Sequence, residues 1–148
     1  MIQRIQTAFL IASTLLLGFL FYYPLADIMS GNEIYVFNIK GIYQGEKQVF
    51  NGLPIMIFLV LIIVLHIFVI FRYKKRIQQM RILGFTMVLL AGLFGLFFFF
   101  AYSGFENPDI SFKIPVSFPI VAMILDYLAI RNIGKDEVLV RSINRLRP

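Results

Sequence analysis

The chain has 148 residues, of which 59% are hydrophobic and only 15% charged, and its mean hydropathy is +0.83. Soluble domains are about 45–50% apolar and about 25% charged, so these charges are too few to clothe a globule in water, which excludes a soluble or disordered chain. The absence of cysteine excludes disulfides, thiolate metal sites and thiol nucleophiles, and a single histidine excludes paired imidazole ligands.

A helix needs roughly 20 apolar residues to cross a hydrocarbon core about 30 Å thick. Four runs approach that length: residues 5–23, 53–71, 82–100 and 114–130. The first has the basic start of a signal peptide. Its apolar stretch exceeds the roughly 7–15 residues of a signal core, however, and no small-x-small cleavage site follows, so it reads as an uncleaved span. It carries the small-residue pairs Ala8/Ala12 and Thr14/Gly18, which favour close helix packing.

Residues 30–52 then read as a β-hairpin: Glu33-Ile-Tyr-Val-Phe-Asn-Ile39, a Gln44-Gly45-Glu46-Lys47 turn, and Gln48-Val49-Phe50. After the second span comes a basic inner loop, residues 72–81. The third span holds Ala91/Gly95 and the run Phe97–Phe100, which reads as packing filler and interfacial belt rather than a cofactor box.

In the outer segment 101–113 and just beyond it, Ile110, Phe112 and Ile114 alternate with Ser111 and Lys113, a third strand. The expectation is a three-stranded cap with its apolar face on Phe21–Tyr23 and Phe97–Tyr102. Pro115 and Pro119 fall in the first turns of the fourth span, where a missing N–H costs little. Beyond Gly134, Leu139, Ile143 and Leu146 recur at i, i+4, i+7, an amphipathic helix in the cytoplasmic tail 131–148.

The expected fold is therefore an all-α integral membrane protein in one domain. It is an antiparallel bundle of four transmembrane helices with a small extracytoplasmic cap and a C-terminal amphipathic helix.

The net charge of +6 invites comparison with nucleic-acid binders, but position argues otherwise. Arg4, Arg72, Lys74, Lys75, Arg76, Arg81, Arg131, Lys135, Arg141, Arg145 and Arg147 flank the apolar runs, whereas the outer segments carry mostly acids. That bias places both termini and the 72–81 loop in the cytoplasm. The expected partners are anionic lipid headgroups of a bacterial inner membrane, an unidentified membrane protein and a further copy of the chain, with no nucleic acid.

Catalytic templates fail in turn. Gly41-Ile-Tyr-Gln-Gly45-Glu46-Lys47 lacks the spacing and the Gly-Lys-Ser/Thr end of a phosphate loop. Neither a Gly-x-Ser-x-Gly elbow nor a His-Glu-x-x-His pair occurs. The sequence gives no reason to expect an enzyme, a cofactor or a metal.

Two ionisable groups lie within spans. His66 and Asp126 each stand five residues from an inner boundary, about 7–8 Å deep, and Thr86 reaches a similar depth on the third span. Such groups are expensive in lipid and should face inward. They read as interhelical hydrogen bonds, as an Asp126 shallow enough to snorkel to water or to Arg131, or as a proton site with Asp126 as titrating carboxylate and His66 as relay.

The opening Met-Ile-Gln-Arg-Ile-Gln-Thr and the closing Arg131-x-Ile-x-Lys-Asp-Glu-x-Leu-Val-Arg-Ser-x-x-Arg-Leu-Arg147 are similar to the domain of unknown function 4293 family. That family comprises small four-span inner-membrane proteins of Bacteroidota. The family pattern often has aspartate where this chain has Asn144. The resemblance implies location and source and assigns no catalytic residue. It directs attention to Gln3, Arg4, Gln6, Arg131, Lys135, Asp136, Glu137, Arg141, Arg145 and Arg147 as one cytoplasmic surface for a partner or anionic lipid. The expected function is a non-catalytic accessory or scaffold subunit; the alternative is a small proton-coupled transporter or channel using Asp126 and His66.

Overall fold

The computed structural model describes residues 2–147, with side chains described from residue 5. Helix α1 (Ile2–Phe19) continues through tight turns to Tyr23, each closed by backbone hydrogen bonds three or four residues back. Four consecutive antiparallel strands follow: β1 (Ala26–Ser30), β2 (Glu33–Asn38), β3 (Gly41–Gln44) and β4 (Lys47–Asn51). Helices α2 (Leu53–Phe71) and α3 (Arg76–Ser103) come next, then β5 (Asp109–Phe112), a 3₁₀ turn (Ile114–Ser117) and α4 (Phe118–Leu146).

The five strands form one antiparallel sheet in the order β4-β3-β2-β1-β5. This corrects the all-α expectation: the chain is mixed α/β, with a five-stranded sheet in place of a three-stranded cap. The two unforeseen strands are short and weakly patterned. β1 follows Pro24 directly after an apolar run, and β3 is four residues opening on a glycine. The turn at Gln44–Lys47 is where the sequence puts it. Gly45 has φ of +62° there, the conformation a two-residue hairpin asks of its first central residue. Gly41 is a sharper requirement: its φ is +143° and a Cβ would strike the Phe50 carbonyl on the neighbouring strand.

The sheet's inner face carries Ala26, Ile28, Phe37 and Ile42. They pack with Leu17, Leu20, Leu59, Phe97 and Ala101 from the helices into one continuous outer core. The Phe37 ring meets Phe97 edge-on at 6.4 Å, and Phe112 lies 5.1 Å from Phe98. The sheet thus meets Phe97, Phe98 and Tyr102 as expected, whereas Tyr22 and Tyr23, also expected beneath it, are exposed.

The helices touch in a ring, α1 on α2, α2 on α3, α3 on α4, and α4 most extensively on α1. Pro54 and Pro119 sit in first turns, where they stiffen the start of α2 and α4. α4 runs unbroken for 29 residues through Gly134, so the separate amphipathic helix expected in the tail is instead the end of α4. Three helical stretches, Leu53–Phe71, Arg76–Ser103 and Ile114–Leu146, are long and apolar enough to cross a membrane, and Ile5–Phe19 forms a shorter apolar helix.

Candidate functional site: a buried polar layer

Each helix turns a narrow stripe to the interior at alternating steps of three and four residues, the spacing of a coiled-coil seam. On α1 the stripe is Gln6, Leu10, Ser13, Leu17; on α2 it is Leu59, Ile62, His66, Val69. On α3 it runs Gln79, Leu83, Thr86, Leu90, and on α4 Ala122, Asp126, Ala129, Ile133. Four polar residues fall at one level: Ser13, His66, Thr86 and Asp126, all at 0% exposure. They separate the outer core from an inner apolar cluster of Leu10, Val69, Leu83, Ala129 and Ile133.

Within this layer His66 is the hub. Its Nδ1 lies 2.9 Å from the Ile62 carbonyl, which can only accept, so Nδ1 carries a hydrogen. Nε2 lies 2.9 and 3.0 Å from the two Asp126 oxygens and 3.1 Å from Ser13 Oγ. One proton placed between Nε2 and the carboxyl leaves the pair neutral overall, whichever side holds it. A lone charge at this position would face the steep cost of burial; a neutral pair escapes most of it. Ala122 and Ala129, one turn to either side of Asp126, are the small residues that let the neighbouring helices approach.

The contacts differ from a hydrolase triad. There, aspartate orients Nδ1 and serine meets Nε2. Here both meet Nε2, the Ile62 carbonyl occupies Nδ1, and Ser13 is fully buried. Among the described residues no three His, Asp or Glu side chains converge as metal ligands.

Of the residues singled out from sequence, His66 and Asp126 are brought together. Thr86 shares their level but gives its hydroxyl to the Ile82 carbonyl, 2.8 Å away in its own helix. Ser13 was missed. Its signal was available, since it is the polar residue on the α1 stripe at the level of His66. Gln79 was also missed; it donates to the Val69 carbonyl at 2.8 Å, which also accepts from the Arg72 N–H, and so ties α3 to the end of α2.

The residues that the end motifs suggested as one surface divide. The side chains of Gln3 and Arg4 lie outside the described residues, and Gln6 is buried on its stripe. Asp136 and Glu137 turn to Arg76 at the start of α3, 3.4 and 3.9 Å away, and Glu137 also accepts from Arg141 at 2.9 Å. Arg131, Lys135, Arg145 and Arg147 are exposed. Arg76, which clamps α3 to α4, had been counted only as loop charge.

Fold and site together define a mixed α/β protein with a five-stranded sheet, three helices long and apolar enough to cross a membrane, and an internally bonded polar layer. The model for Domain of unknown function (DUF4293) matches residues 2–146, and the chain belongs to that family. No curated protein and no solved structure matches it.

Proposed function

We propose that this chain is a non-catalytic integral protein of a bacterial inner membrane, acting as an accessory or scaffold subunit. All four helices cross in this reading, and both ends are cytoplasmic. Arg72, Lys74, Lys75, Arg76, Arg81, Arg131, Lys135, Arg141, Arg145 and Arg147 then gather on one side against Asp136 and Glu137, ten cations to two anions. The sheet side carries Lys40, Lys47 and Lys113 against Asp27, Glu33, Glu46, Glu106 and Asp109, three to five. Positive-inside bias and attraction to anionic headgroups both favour this orientation. α1 is the shortest of the four, but Ser13 ties it to His66 of α2 at the polar layer and it packs extensively on α4, which supports its crossing as well.

The observation that carries the scaffold reading is the closure of the polar layer. His66 and Asp126 satisfy each other at 0% exposure between two apolar clusters. Interhelical hydrogen bonds of this kind fix rotation and register, at about 0.6 kcal/mol on average. The alternative, proton-coupled transport, draws on the same pair, since ionisable groups inside spans often mark ion pathways.

Reconstitution in liposomes containing a pH-sensitive dye separates the two. The scaffold reading expects proton flux no greater than in empty liposomes, for both the native chain and Asp126→Asn. Flux that Asp126→Asn abolishes without loss of fold would establish the transporter. The tagged protein, purified from its host in mild detergent, should run as a larger complex with a reproducible companion.

A further inference from the structure

The sheet has two edges, and they differ. β4 is blunted by a register shift opposite Ile42 and Tyr43, a bulge of the kind that discourages edge pairing. β5 is regular. Its Lys113 N–H donates to the Leu25 carbonyl at 2.8 Å, and Ser111 pairs with Asp27 and Asp109 with Met29. Backbone groups alternate along a strand, so Asp109, Ser111 and Lys113 bond inward to β1. The N–H and C=O of Ile110 and Phe112 therefore face the open edge.

We infer that the open edge of β5 pairs with β5 of a second copy, about a two-fold axis through Ser111 that runs along the membrane normal. The inference rests on the membrane placement proposed above. Proteins inserted in one orientation present the same edge at the same height, and a two-fold axis normal to the sheet makes adjacent strands antiparallel.

Only one register joins the free groups and balances charge. Centred on Ser111, Ile110 of each copy exchanges hydrogen bonds with Phe112 of the other, while Asp109 faces Lys113. These two side chains share the outer face of the sheet, where Lys113 already lies 3.3 Å from Asp27. Centring on Ile110 instead would pair Phe112 with Pro108, which has no N–H.

The helix beneath the edge fits the same axis. Phe98 and Tyr102 of α3 touch Phe112 from below. Gly84, Ala91 and Gly95 lie on their face of α3, at spacings of seven and four residues that return to one side of a helix. A Cβ added at Gly84 or Gly95 would meet nothing within 4 Å, so this face is shallow enough for a second α3 to approach closely.

Because the chain has no cysteine, single cysteines report the geometry cleanly. At the axis the two Ser111 Cα atoms would be roughly 4.5 Å apart, within disulfide range. Full-length Ser111→Cys, in bilayers at high lipid-to-protein ratio under mild oxidation, should run mostly as a covalent dimer. Gln48→Cys on the β4 edge should stay monomeric. Asp109→Cys and Lys113→Cys should crosslink when co-expressed and hardly at all alone, and adding Asp109→Lys to Ser111→Cys should cut the dimer several-fold. A membrane-inserted Ser111→Cys that stays monomeric overturns the pairing, as does equal crosslinking of Gln48→Cys. Labelling with an impermeant maleimide tests orientation separately. Dimer formation with labelling only from the cytoplasmic side would refute the orientation and leave the strand pairing standing.

Discussion

The outer core and the polar layer beneath it are held by different physics. Under the sheet, Phe37, Ile28 and Ile42 are shielded from water on the cap side, and burying such a side chain contributes about 1.5–3 kcal/mol. Between the spans, lipid tails are as apolar as leucine, so an inward leucine gains little over an outward one. What distinguishes inside from outside there is the hydrogen bond. Under the proposed membrane placement, the chain encodes the sheet end of its fold in apolar residues and the packing of its helices in the few polar ones.

The largest loss should come from stranding a charge. His66→Leu leaves Asp126 buried without its donor and should cost about 3–5 kcal/mol, read as the unfolding free energy in detergent. Asp126→Asn keeps a donor for Nε2 and should cost far less. In the outer core, Phe37→Ala should cost about 3–5 kcal/mol, with protection of residues 26–51 in hydrogen exchange lost before that of the helices.

Smaller losses are expected at the sheet and at the α3–α4 ion pairs. Gly41→Ala forces a Cβ against the Phe50 carbonyl at positive φ and should cost about 1–3 kcal/mol, again confined to the sheet. Arg76→Ala removes partly exposed ion pairs to Asp136 and Glu137 and should cost about 0.2–1 kcal/mol, diminishing in high salt. The smallest effect concerns Glu33, which accepts a 2.6 Å hydrogen bond from Tyr35 that holds its carboxyl below the ordinary glutamate range. A depressed carboxyl contributes stability above its unfolded value and loses it as pH falls through the lowered one. Tyr35→Phe should return the Glu33 titration, followed by NMR, toward the ordinary range.

How legible this was follows from the same contrast. α2, Leu-Pro-Ile-Met-Ile-Phe-Leu-Val-Leu-Ile-Ile-Val-Leu-His-Ile-Phe-Val-Ile-Phe, is apolar on every side, so no periodicity reveals its inner face. His66 alone marks it. Asp126 and Thr86 marked their helices in the same way, and that much of the layer could be read from depth. Ser13 was passed over because a hydroxyl in a span is cheap, and only its level with His66 gives it meaning. The sheet was half legible. β2, the Gln44–Lys47 turn and β5 have alternation or a turn signal, whereas β1 owes its strand to pairing on both sides, with β2 and β5. The continuity of α4 through Gly134 was hidden for a related reason. Glycine disfavours a helix interior locally, yet here Arg76 grips Asp136 and Glu137 just beyond it and holds the helix in line.

His66 and Asp126 act as one interhelical unit at the polar layer. A double-mutant cycle of His66→Leu, Asp126→Leu and the pair, read as unfolding free energy in one detergent, tests it most directly. The double variant should be more stable than either single variant, so the coupling should exceed the roughly 3–5 kcal/mol lost in His66→Leu alone. Additive losses, with the double variant least stable of all, would contradict it.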